Sequence, residues 1–139
     1  MIESSCHCGA VKLEIPVAPV EVTECNCSIC RRYGVLWAYY SPAHVHIIAN
    51  DIATDRYRWG NKSIEFHRCR NCGCVTHWAA AAQPADRMGV NARLMAPEIL
   101  RQPAGAGSTE PIPGKFSTID SYVAGFATPL PPARSNWLV

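Results

Sequence analysis

Apolar and polar residues alternate along Ala10-Val11-Lys12-Leu13-Glu14-Ile15, the period of a half-buried strand, and Pro16 and Pro19 bound the segment. Val20 to Glu24 predicts a second strand running into Cys25. Ser28 to Tyr33 reads as one or two helical turns stopped by Gly34, which puts Cys27 and Cys30, three residues apart, on one face. Beyond Gly34 come the β-favouring segments Val35 to Tyr40, His44 to Ala49, Thr54 to Trp59, Ser63 to Cys69, Val75 to Ala79 and Arg87 to Leu94. Pro42, Asn50-Asp51, Gly60-Asn61, Cys69 to Cys74 and Gln83-Pro84 break them apart. This succession predicts an antiparallel, mainly β protein. Helix is scarce: Pro97 to Arg101 can start a turn, and Pro103 stops it. Gln102 to Gly114 holds three prolines and three glycines and reads as an exposed loop. Pro129 to Val139 reads as an extended arm lying on its own domain or on a neighbouring subunit, which leaves room for a homodimer.

With 139 residues, 48% of them apolar and 17% charged, the chain fits one domain over residues 1–139. No apolar run approaches the ~20 residues of a membrane-spanning helix. Met1 to Ser5 lacks the basic and apolar regions of a secretory signal, so the expected location is the cytoplasm. A net charge of +2 and a pI of about 8.1 argue against a nucleic-acid partner.

Eight cysteines are many for an intracellular chain, where reduced thiols point to metal ligation or redox catalysis. They fall in three groups: Cys6-His7-Cys8-Gly9, Cys25-Asn26-Cys27-Ser28-Ile29-Cys30, and Cys69-Arg70-Asn71-Cys72-Gly73-Cys74. Such close pairs suit zinc, because a short turn aims two sulfurs at one ion, whereas neighbours this near are poorly placed for disulfide geometry. A redox role for Cys27/Cys30 or Cys69/Cys72 would want a βαβ context, which is missing. Eight thiolates can make two closed four-cysteine sites, or one closed site and one with three protein ligands. Only the second arrangement keeps a position for substrate. Spacing leaves both open.

The groups Cys6-His7-Cys8-Gly9-Ala10-Val11, Cys25 to Arg32 and Cys69-Arg70-Asn71-Cys72-Gly73, followed by Gly89 to Leu94, resemble the glutathione-dependent formaldehyde-activating enzyme family, also called centromere-protein-V-like. The likeness covers residues 4–100. It implies an Mss4-like, zinc-stabilised antiparallel β fold with short helical turns. It implies two zinc ions: a structural one on Cys6, Cys8, Cys69 and Cys72, and an open, catalytic one on Cys25, Cys27 and Cys30. The implied activity is that of a carbon–sulfur lyase run in the synthetic direction, in which a thiol such as glutathione adds to formaldehyde or a related small aldehyde. The same cysteines would also serve a zinc-stabilised β module that binds without turnover. Seven bound thiolates outweigh two zinc ions and turn the formal charge negative, a further argument against nucleic acid.

Cys74 exceeds the seven cysteines of the family pattern and is either an inert buried thiol or a fourth ligand that would close the middle site. Arg31 and Arg32 are candidates for binding the carboxylates of a tripeptide, or form a solvated basic turn. Arg93 is expected in a strand-face salt bridge. Trp37, Tyr39 and Tyr40 are expected to pack in the core rather than line a pocket. His7 should turn away from Cys6 and Cys8. His67 and His77 should support ligands rather than bind metal, and His44 and His46 should share one strand face.

Overall fold

A computed structural model describes residues 1–82 and 84–101. The strands are β1 (Ile2–Ser5), β2 (Lys12–Ile15), β3 (Trp37–Tyr40), β4 (His46–Ile48), β5 (Thr54–Arg58), β6 (Ile64–Cys69), β7 (Val75–Ala80) and β8 (Met88–Asn91). Among the described residues there are also two short helices, α1 (Cys30–Tyr33) and α2 (Pro97–Arg101), and 3-10 turns at Pro42–His44 and Ala92–Leu94. All pairings are antiparallel, in a sheet ordered β1-β2-β4 and a sheet ordered β3-β8-β7-β6-β5. The fold is mainly antiparallel β with cysteine clusters suited to zinc, as the Mss4-like expectation requires.

Alternation sorts the core onto two faces. In β3, Ala38 and Tyr40 join Leu13, Ile15, Met88 and Val90 in the layer shared with the three-stranded sheet. Trp37 and Tyr39 point the other way and pack with Ile29, Cys30, Phe66 and Val75 under α1. All four residues of β8 are buried, because covering both faces of the sheet leaves this central strand no solvated side.

The segment Val20 to Glu24 is not a strand: Val20 and Glu21 are exposed, and only Thr23 pairs, through a bridge to Trp37. Two backbone bonds of 2.8 and 2.9 Å make that bridge and pin the chain just before Cys25 against β3. The strand β1, which no apolar alternation announces, pairs with β2 and has a serine as its one fully buried side chain; Ser4 Oγ donates to the Asn91 carbonyl at 3.4 Å. His44 lies in a 3-10 turn rather than beside His46 on a strand. The loop expected over 102–114 and the arm over 129–139 lie outside the described residues. Among the described residues, no helix is long and apolar enough to cross a membrane.

Candidate metal centres

Two clusters of sulfur emerge from the fold. Cys6 and Cys8 sit in the turn after β1, and Cys69 and Cys72 sit at the end of β6 and in the turn to β7. Their four sulfurs lie within 4.8 Å of one another. Cys6 to Cys8 and Cys8 to Cys69 each measure 3.6 Å. A tetrahedron with metal–sulfur bonds of about 2.3 Å has sulfur–sulfur edges of about 3.8 Å, so the spacing fits a zinc ion and far exceeds a disulfide bond. All eight cysteines are unbridged. The third-group turn is closed by Gly73, whose positive φ of 76° allows its amide to reach the Cys69 carbonyl at 2.9 Å.

Cys25, Cys27 and Cys30 form the second cluster, with sulfurs also within 4.8 Å of one another. Cys30 opens α1, and that short helix ends at Gly34, whose left-handed backbone (φ 62°) lets its amide cap the Cys30 carbonyl at 2.9 Å. Cys27 Sγ accepts the Cys30 amide at 3.5 Å. Buried Trp37 donates its indole Nε1–H to Cys30 Sγ at 3.2 Å. Val11 N–H likewise donates to Cys6 Sγ at 3.3 Å in the other cluster. Donors aimed at sulfur suit thiolates, the form a metal binds.

Crowding splits the thiols within each cluster. Burial and the neighbouring sulfurs Cys72 and Cys8 push Cys69 up to about 11, against opposing backbone amides. At Cys72 burial acts upward too, but the amides of Cys74 and Cys8 outweigh it and hold the thiol down to about 5. In the second cluster burial raises Cys30 and Cys25, while at Cys27 it is outweighed by the amides of Cys30 and Ile29. Sulfurs that hinder one another's ionisation are a fitting donor set for a divalent cation.

Cys74 stands with the first cluster's turn, outside both sets of converging sulfurs. It is half-buried, and its carbonyl accepts the Cys69 amide at 2.8 Å. Among the described residues, no other histidine, cysteine or carboxylate joins the trio. His7 is exposed. His67 and His77 stack on each other with ring centres 4.2 Å apart. Their ring nitrogens meet threonine hydroxyls, Thr54 at 3.4 Å and Thr76 at 2.9 Å, rather than sulfur. Arg31 and Arg32 are exposed on α1, and Arg32 Nη1 donates to the Ser28 carbonyl at 2.6 Å. Trp37 packs in the core as expected, yet its N–H on Cys30 is a role that residue type and spacing did not signal.

Residues 1–104 match the family model of the glutathione-dependent formaldehyde-activating enzyme. The chain belongs to that family. A crystal structure of a Rhodobacter sphaeroides protein is similar to it, at a TM-score of 0.61 and 27% identity over 73% of this chain and 96% of that one. No curated protein matches. In this member of the formaldehyde-activating family, then, two cysteine clusters of unequal size could each hold a metal ion, and both are compatible with zinc.

Proposed function

We propose that this protein is a zinc-dependent, carbon–sulfur lyase-type enzyme that adds a thiol such as glutathione to formaldehyde or a related small aldehyde. The reading is supported above all by the three-sulfur cluster, which among the described residues has no fourth protein donor, in a chain of this family. Cys6, Cys8, Cys69 and Cys72 would hold a structural zinc, and Cys25, Cys27 and Cys30 a second one. Bound by the trio, zinc would supply a coordination position at which an incoming thiol loses its proton.

The residues around the trio then have defined work. Trp37 Nε1–H draws charge from the Cys30 thiolate, and the Cys30 amide does so for Cys27. Thr23, bridged to Trp37, fixes the approach of Cys25. In the reaction the substrate sulfur forms a bond to the aldehyde carbon, the carbonyl π pair moves to oxygen, and that oxygen takes up the proton the thiol gave. Nothing is oxidised or reduced. Arg31 and Arg32 follow Cys30 directly and would hold carboxylates of a peptide thiol.

Zinc analysis paired with turnover of glutathione and formaldehyde tests this reading. Two zincs per chain with turnover that Cys27→Ala abolishes is the expected result. Two zincs without turnover would leave a zinc-stabilised binding module and discard the enzyme.

A further inference from the structure

On the side of the five-stranded sheet that carries α1, a cleft of about 590 Å³ opens between α1, β5, β6 and the turn after β8. Its wall contains Arg32, Arg56, Arg68 and Arg93, with Tyr33 and Tyr57, and, among the described residues, no aspartate or glutamate. Cross-strand register places Arg68 opposite Asp55 on the face of the sheet that carries α1, and Arg93 follows buried Asn91, which pairs with Trp37; Arg56 pairs with His67, so its side chain turns to Glu65 on the opposite face and Arg56 only edges the cleft. Asn91 anchors that wall; its amide donates to the Val75 carbonyl at 2.8 Å and its oxygen accepts the Arg93 amide at 3.2 Å.

The carboxylates nearby do not neutralise the cleft. Glu65 is shared between Arg56 and Arg58, and Asp55 between Arg68 and Arg70. The Arg93 side chain has no carboxylate partner among the described residues. Four arginines share these two carboxylates, and Arg32 and Arg93 add charge at the cleft without a carboxylate partner among the described residues, so the cleft keeps a positive surplus. The Arg68 side chain is more than half exposed, so the part of its planar donor fork that Asp55 does not take is open to a ligand. Guanidinium stays charged at any ordinary pH and matches carboxylate and phosphate oxygens in pairs. The volume lies within the range of small-molecule sites, ~300–1,000 Å³.

We propose that this cleft binds a small ligand bearing two or more anionic groups, carboxylate or phosphate, gripped by Arg68 and Arg93. None of the seven clustered cysteines lines it, and neither Arg68 nor Arg93 is among the residues proposed to serve the trio, so loss of binding at these two arginines is read apart from aldehyde turnover. Half-buried Cys74 does line it and supplies a built-in reporter.

The test uses the zinc-loaded full chain at low salt, titrated calorimetrically with succinate, S-methylglutathione and inorganic phosphate. The thioether has no thiol to offer a metal, which separates this site from the trio. Saturable one-to-one binding of at least one probe is expected, weakened about tenfold or more by Arg68→Gln combined with Arg93→Gln and unchanged by Lys12→Gln on the other sheet. Preference for the carboxylates or for phosphate identifies the class. Bound probe should also slow alkylation of Cys74, read by mass spectrometry. Should the double variant lose its fold, the exposed Arg93→Gln alone gives the same comparison. Absence of saturable binding for all three probes, or equal binding by the arginine variants and the parent, overturns the proposal.

Discussion

The two sulfur clusters differ in how far apart their donors lie along the chain, and that difference assigns them different physical work. Cys8 and Cys69 meet across 61 residues and join the β1–β2 hairpin of one sheet to the β6–β7 hairpin of the other. Cys25, Cys27 and Cys30 come from one short stretch, held by the bridge of Thr23 to Trp37 and by α1. An ion shared by distant segments removes much of the loop freedom of the unfolded chain, whereas an ion held by one turn restrains only that turn. The four-sulfur cluster is thus suited to holding the sheets together, and the three-sulfur cluster to chemistry on a scaffold that stands without it.

The sharpest way to break this contrast is to remove one ligand from each cluster. Cys69→Ser is expected to unfold the protein, because structural zinc contributes about 10–16 kcal/mol in apparent binding energy against a net stability of about 5–15 kcal/mol. Circular dichroism and zinc content read this, and a cooperative native melt in the variant would refute it. Cys27→Ala should keep the fold and one zinc per chain while abolishing thiol and aldehyde turnover. If it unfolds as Cys69→Ser does, the two clusters are not different in kind.

Smaller perturbations sharpen the same comparison. Trp37→Phe keeps an aromatic ring in the core but removes the five-membered ring with its N–H on Cys30, so metal affinity should fall about 10–100-fold at the trio alone. A competitive chelator titration that shows equal weakening at both clusters would contradict it. His77 lies in β7, in the sheet that supports both clusters, and should affect them together. Burial, helped by His67, holds its imidazole down to about 3. The folded value lies below that of the unfolded chain, so this contribution is complete above about pH 6.5 and is lost as pH falls toward 3, by about 2 kcal/mol at pH 5. Denaturant unfolding of the zinc-loaded protein at pH 7 and pH 5 should show a steeper loss than in His77→Gln, and parallel curves would remove His77 from the account. Gly34→Ala places a Cβ on left-handed backbone at the end of α1 and should cost about 1–2 kcal/mol, with a selective weakening of the trio.

What could be read in advance follows the same divide between local and distant. The cysteine groups announced themselves because each is a run of a few residues, and the strands from Trp37 onward because their alternation is local. The extended reading of Val20 to Glu24 failed because only Thr23 finds a partner, and that partner, Trp37, lies beyond the cysteine turn. The strand β1 was illegible because its buried position is Ser4, whose hydroxyl is satisfied by Asn91 at the far end of the described core. The indole donor of Trp37 and the nearness of Arg68 to Arg93 depend on register and on packing across the sheet, and no short window of sequence contains them.

Cobalt substitution tests the contrast between a closed and an open centre most directly. The account predicts two cobalt ions per chain, and on addition of glutathione a change in the visible absorption of one of them. That change should be missing from Cys27→Ala, which retains the other ion. Two ions whose spectra both ignore added thiol, or a trio already completed by a fourth protein ligand, would contradict it.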